Sequence, residues 1–227
     1  MKNYFTLLRP QQWLKNLFVL APLFFSGHLF ELDRLFPCLL GMIAFSLNAS
    51  SVYIFNDYRD VDKDKLHPAK RFRPLAAGSV PKNNALILFV LLSVVAFAFA
   101  YKISNMFCVT LAIYYALNIA YSMGLKALSL IDIFIVSSGF VFRVIGGGII
   151  CNIEISHWLF IMTFLLALFI ALAKRRDDVL IELRSGEKMR HSISGYTLEF
   201  GLLSRICGYN LNVLRWKLHA INELQRY

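Results

Sequence analysis

Six stretches of the chain are apolar over roughly the length a bilayer requires, and short polar connections separate them. They run over residues 14–30, 35–55, 84–101, 106–123, 130–150 and 158–173. A helix needs about 20 apolar residues to cross the hydrocarbon core, or somewhat fewer with tilt or local thinning. The pattern therefore predicts an all-α protein, a multi-pass bundle of transmembrane helices. The first stretch is short, begins beside Lys15 and contains Pro22. A proline is tolerated in a span where neighbouring helices satisfy the carbonyl it frees. After Ala173 the chain turns polar, and residues 192–227 hold no uncharged run of spanning length, although an amphipathic helix fits 211–224.

Charge placement orients this bundle. With the N-terminus inside, the inner segments hold Lys2, Arg9 and Lys15, then seven basic residues from Arg59 to Lys82, then Lys126, then six from Lys174 to Arg190. The opposite side holds Arg34 and Lys102. The positive-inside rule then predicts a cytoplasmic N-terminus in the cell (inner) membrane. Composition agrees, because 58% of the 227 residues are hydrophobic and 17% charged, far from the balance of a soluble domain. The net charge of +10 would suit nucleic acid only on a solvated face, and here the basic residues lie between apolar runs. Partners are therefore expected among anionic substrates and membrane lipids, with no nucleic acid. Cys38, Cys108, Cys151 and Cys207 show no C-x-x-C spacing, so neither a zinc site nor a disulfide framework is suggested. The N-terminal apolar run lacks a convincing small-x-small cleavage site and reads as a retained span.

The sharpest chemistry is Asn56-Asp57-Tyr58-Arg59-Asp60-Val61-Asp62-Lys63-Asp64, at the cytoplasmic end of the second predicted span. If helix continues through it, Asp57, Asp60 and Asp64 share one face, with Asn56 adjoining. Stacked carboxylates repel one another unless a divalent cation bridges them, and Mg²⁺ favours a few carboxylates plus waters and substrate phosphates. Asp62 lies off this face and reads as solvated. The next segment carries Lys70, Arg71 and Arg73, setting concentrated cation beside concentrated carboxylate. Diphosphate chemistry uses both: metal for the bridging oxygens, Lys and Arg for the others. The competing readings are a solvated helix end and a purely topological basic loop.

Asn-Asp-x-x-Asp-x-x-x-Asp, followed by Arg73-Pro74-Leu75-Ala76-Ala77-Gly78, resembles the first signature of the UbiA superfamily of intramembrane prenyltransferases. The resemblance implies a bundle of about nine spans around a lipid-accessible cavity, with Mg²⁺ and diphosphate at the cytoplasmic side. Asn56, Asp57, Asp60 and Asp64 would be its metal ligands, the three aspartates also its catalytic residues. A narrower likeness rests on Leu8-Arg9-Pro10-Gln11-Gln12-Trp13-Leu14-Lys15-Asn16, Ala21-Pro22-Leu23-Phe24-Phe25-Ser26, Gly139-Phe140-Val141-Phe142-Arg143 and Lys174-Arg175-Arg176. These look like the decaprenyl-phosphate phosphoribosyltransferase branch. That branch implies transfer of 5-phosphoribose from phosphoribosyl diphosphate to a polyprenyl phosphate, a first step toward the arabinan precursors of cell wall biosynthesis. Typical superfamily members carry a second Asp-x-x-x-Asp where this chain has Lys174 and Asp178. A lysine there suits a donor bearing a further phosphate.

The expected substrate-binding set is thus Lys15, Asn16, Lys70, Arg71, Arg73, Lys126, Arg143, Lys174, Arg175, Arg176 and Asp178. Arg143 sits inside an apolar span, where a charge is costly and usually faces a cavity. Tyr121 and Lys126 resemble the superfamily's Tyr-x-x-x-Lys element with one residue more between them. Gly146-Gly147-Gly148 reads as a site of close helix packing, and His67 as structural, because an anionic acceptor needs no base. The resemblance fades after 195–200, where family members continue through about three more spans. That gives the expectation of a transmembrane domain over 1–200, a divergent polar tail over 201–227 and a C-terminally truncated homologue. Alternatives are an aromatic prenyltransferase using a prenyl diphosphate, an inactive homologue, and a transporter or lipid-binding protein with a cation site; a homo-oligomer is compatible with each.

Overall fold

The computed structural model describes residues 2–185. The tail beyond 185, with its expected helix at 211–224, lies outside the described residues. Seven α-helices follow in chain order: α1 (Lys2–Leu8), α2 (Ala21–Phe25), α3 (Leu32–Leu66), α4 (Lys82–Ile103), α5 (Asn105–Met123), α6 (Ser129–Cys151) and α7 (His157–Ser185). No strand occurs among the described residues. Among the described residues five helices, α3 to α7, are long and apolar enough to cross a membrane, and the chain is a multi-pass membrane protein. Within their most apolar windows 61% of α3 and 56% of α6 is buried, against 11% of α4 and of α7. So α3 and α6 form the centre of the bundle, and α4 and α7 present apolar flanks.

The stretch predicted as the first span takes a different form. It folds as a 3-10 helix over Pro10–Leu20 followed directly by the five-residue α2. At about 2.0 Å of rise per residue in the first piece and 1.5 Å in the second, the two contain roughly 30 Å of rise, comparable to the hydrocarbon core. A long 3-10 helix is uncommon, and its register against the neighbours explains this one. Three 3-10 residues and four α-helical residues each advance about 6 Å. The face Trp13, Asn16 and Val19 therefore stays in step with helices on either side. Toward α3, Trp13 Nε1 donates to Ser50 Oγ at 2.9 Å and Asn16 Nδ2 to Ser46 Oγ at 2.8 Å. Toward α6, Asn16 accepts from Arg143, and the Val19 carbonyl lies against Gly147. A Cβ on Gly147 would sit 1.9 Å from the Val19 oxygen, so only glycine admits this approach. Gly146 similarly accommodates the rings of Phe45 and Phe107. The packing reading of the glycine run describes both positions.

Two apolar clusters hold the halves of the bundle. One joins Val19, Leu23, Phe45, Phe107, Leu111 and Tyr114 around the middle of α3. The other joins Leu7, Ile54, Val61, Leu75, Val80 and Ala85 beneath the aspartate end of α3. Helix α3 runs through the whole aspartate motif and stops at Leu66, one residue before His67-Pro68. Pro68 cannot continue the backbone ladder, and His67 Nδ1 accepts from the amides of Ala69 and Lys70 at 3.2 and 3.3 Å. That is the structural role expected of His67.

Candidate active site

Because α3 is helical to Leu66, Asp57, Asp60 and Asp64 stand along one side of its last turns, as their spacing predicts. Asp57 and Asp64 are buried, and Asp60 and Asn56 are half-buried. Each carboxylate meets a cation brought from elsewhere in the chain. Arg9 Nη2 donates to both oxygens of Asp57 at 2.6 and 2.8 Å. Arg73 Nη1 bridges Asp57 at 3.1 Å and Asp64 at 2.7 Å. Lys126 Nζ bridges Asp60 at 2.5 Å and Asn56 Oδ1 at 3.2 Å. Three carboxylates thus alternate with three cations, which offsets the repulsion along the row. Asp62 sits away from it, exposed and paired with Lys65.

Arg9 was quoted in the N-terminal motif but not expected in the site. Its backbone adopts the left-handed region (φ 52, ψ 59), which costs a non-glycine residue about 1 kcal/mol or more. The two bonds to Asp57 and the Tyr53 ring 5.0 Å from its guanidinium hold it there. Arg73 opens the loop whose Gly78 also has positive φ (72°), with nothing near a notional Cβ; that glycine serves the turn itself.

The remaining expected residues fall into two groups. Asn16 and Arg143 meet deeper in the bundle, where Arg143 Nε donates to Asn16 Oδ1 at 2.7 Å, whereas Lys15 and Lys174 are both exposed. Arg175 goes elsewhere. Its Nε donates to Asp132 Oδ2 at 2.5 Å, and Tyr121 donates its hydroxyl to Asp132 Oδ1 at 2.6 Å. Asp132 is completely buried and ties α5, α6 and α7 together. The expected phosphate ligand Arg175 is therefore a buried ion-pair partner, and Tyr121 is separated in role from Lys126. Arg71 is exposed and stacks on Phe72, Lys70 is half-buried in the same 3-10 turn, and Arg176 is half-buried on α7. Asp178 follows on α7; its side chain lies outside the described set.

The donor set along α3 is entirely hard oxygen, three carboxylates and one amide, which is the chemistry Mg²⁺ selects. No cluster of three His, Cys, Asp or Glu side chains is arranged to enclose a metal among the described residues. As the side chains stand these oxygens face Arg9, Arg73 and Lys126, and the donor set would suit an ion that keeps waters and takes substrate phosphate oxygens.

A helical membrane bundle with this aspartate row is a defined class. The chain belongs to the UbiA prenyltransferase family, which it matches over residues 17–189. It is 40% identical over 197 residues to a decaprenyl-phosphate phosphoribosyltransferase of Mycolicibacterium smegmatis, an alignment covering 85% of this chain and 62% of the relative. The corresponding protein of Mycobacterium tuberculosis is 38% identical, over 84% of this chain and 64% of its own length. The chain thus spans about six-tenths of the length of these curated relatives. A UbiA homologue of Archaeoglobus fulgidus, solved with GPP and Mg²⁺, shares the fold with a TM-score of 0.69 and 21% identity, over 85% of this chain and 69% of that one.

Proposed function

We propose that the chain transfers a 5-phosphoribosyl group from phosphoribosyl diphosphate to a polyprenyl phosphate such as decaprenyl phosphate, releasing diphosphate at the cytoplasmic face of the inner membrane. The observation that carries the reaction class is the row of Asp57, Asp60 and Asp64 interleaved with Arg9, Arg73 and Lys126. The names of relatives at 38–40% identity support the substrate pair.

Asn56, Asp57, Asp60 and Asp64 would hold Mg²⁺, which would neutralise charge on the leaving diphosphate. Arg73 and Lys126, at hydrogen-bonding distance from those carboxylates, bind the other diphosphate oxygens, Arg73 through its planar fork. Lys70 and Arg71, just before Arg73, add positive charge beside the aspartate row, and Arg176 adds it on α7. As the bond from ribose C1 to diphosphate oxygen breaks, its electron pair leaves with the diphosphate. A lipid phosphate oxygen then forms the new bond to C1 from the opposite side, with inversion. The acceptor is already anionic, so no base is needed. Catalysis is positioning together with fixed positive charge placed where negative charge develops. Asp132 acts at a distance, by holding Arg175 and with it the rotation of α7.

The test supplies the chain, reconstituted in lipid with Mg²⁺, with one of two substrate pairs. Phosphoribosyl diphosphate with decaprenyl phosphate is expected to release diphosphate; a prenyl diphosphate with an aromatic acid is expected to release none. Release from the second pair alone, or from neither, overturns the proposal.

A further inference from the structure

Cys38 and Cys151 lie 113 residues apart, and no spacing in the sequence marks them as partners. The fold brings them together. Cys38 stands near the start of α3 and Cys151 is the last residue of α6, and both are buried, at 0% and 4% exposure. Both are free thiols. Their Sγ atoms are 2.7 Å apart, well inside the ordinary contact of two sulfur atoms. Other acceptors lie farther off: the Val19 and Gly147 carbonyls at 3.7 and 3.9 Å from Cys38 Sγ, and the Arg34 carbonyl at 3.6 Å from Cys151 Sγ. Each sulfur therefore turns first to the other.

A lone buried cysteine packs as a small hydrophobe. Two whose sulfurs meet across helices can instead share a soft metal ion or form a bond. A tetrahedral zinc with bonds of about 2.3 Å holds its sulfurs roughly 3.8 Å apart. The thiols already approach more closely than that, and small side-chain rotations bring them to the disulfide length of about 2.05 Å.

We propose that Cys38 and Cys151 are a redox pair that closes to a disulfide, fastening α3 to α6 at the end of the bundle away from the aspartate row. Cys38 is nineteen residues, roughly 28 Å, from Asp57 along α3. With the aspartates at the cytoplasmic face, as in the proposed function, the pair lies toward the opposite, oxidising side, where disulfides persist. The oxidant is a low-molecular-weight disulfide acting by exchange. The Cys151 thiolate attacks it, forming a mixed disulfide and releasing one thiol; the Cys38 thiolate then attacks the Cys151 sulfur and releases the second. The protons of Cys38 and Cys151 end on the two released thiols, and the two electrons reduce the oxidant. Cys151 is the point of entry because α6 ends there, and Asn152 and Glu154 in the connection beyond it are exposed. The bond closes a long loop, which restricts the unfolded chain. It also fixes the seat of the 3-10 segment, whose Val19 carbonyl lies against both Cys38 and Gly147.

Peptide mapping of the full chain in lipid nanodiscs tests this without altering the pair. The protein is incubated with hydroxyethyl disulfide and then denatured with N-ethylmaleimide, which caps every remaining thiol. A peptide linking Cys38 to Cys151 is expected, lighter by two hydrogens than its separate halves and lost on reduction with dithiothreitol. The oxidised protein is expected to unfold at a higher temperature than the reduced one, a shift absent in Cys38→Ala. Maleimide on both residues, a hydroxyethyl adduct that stays on Cys151, or linkage of either residue to a different cysteine overturns the inference. None of these readouts involves transfer of phosphoribose, so the pair and the proposed function stand or fall separately.

Discussion

Gly147→Ala tests how the 3-10 segment is seated. The added Cβ would lie 1.9 Å from the Val19 carbonyl oxygen and 2.8 Å from its carbon, where ordinary contact begins near 3.4 Å. Backbone cannot swing aside as a side chain can, so the segment must retreat from α6 by about 1.5 Å. A retreat of that size takes Asn16 out of the 2.7 Å bond from Arg143. Overpacking costs about 1–3 kcal/mol, and a hydrogen bond to a charged group is worth about 1.5–3 kcal/mol. Alanine returns at most about 1 kcal/mol of helix propensity over glycine. The net expectation is a loss of about 2–4 kcal/mol. Gly139→Ala is the control, because its Cβ would meet Arg143 Nη1 at 3.4 Å and Tyr114 Cε2 at 3.6 Å, both ordinary distances. It should change stability by less than about 1 kcal/mol. Thermal unfolding in detergent micelles reads both. A Gly147→Ala midpoint equal to that of the parent and of Gly139→Ala would refute the seating of Val19 against α6.

Other substitutions probe the polar interior. Asp132→Asn removes the counter-charge from buried Arg175 and should cost about 3–5 kcal/mol; adding Arg175→Met should recover more than half, as thermal unfolding of the three variants will show. Arg73→Lys keeps the charge but loses the planar guanidinium, whose Nη1 meets both Asp57 and Asp64 and whose other N–H groups are proposed to bind diphosphate. Steady-state kinetics should show the donor's KM raised about tenfold with a smaller change in kcat, as expected for loss of about 1.4 kcal/mol of binding.

Much of the fold was readable from hydrophobic runs. The stretches at 84–101 and 106–123 became Lys82–Ile103 and Asn105–Met123. The shared face of Asp57, Asp60 and Asp64 followed from helical spacing alone. The first span was not readable as a 3-10 helix, because in a short, broadly apolar run a period of 3.0 differs little from 3.6. What selects it is the register with Ser46, Ser50 and Gly147, which no local pattern contains. The partners of the aspartates were similarly hidden: Arg9 comes from 48 residues before Asp57, and Lys126 from 66 after Asp60. Asp132 is a lone acid at the head of an apolar run, and its burial depends on Tyr121 and on Arg175, 43 residues away. The rarity of carboxylates at the membrane edge was the signal that would have found it. Arg175 misled for the complementary reason: a basic triplet after a span reads as one group, yet helical geometry turns its middle member inward.

The central claim is most directly tested by following radiolabel from phosphoribosyl diphosphate into the lipid phase of membranes that contain the chain, polyprenyl phosphate and Mg²⁺. Labelled lipid is expected with the parent sequence, and is expected to vanish on chelation of the metal and in Asp57→Asn. Undiminished labelling by a membrane-inserted Asp57→Asn protein, or no labelling by the inserted parent, would contradict the account.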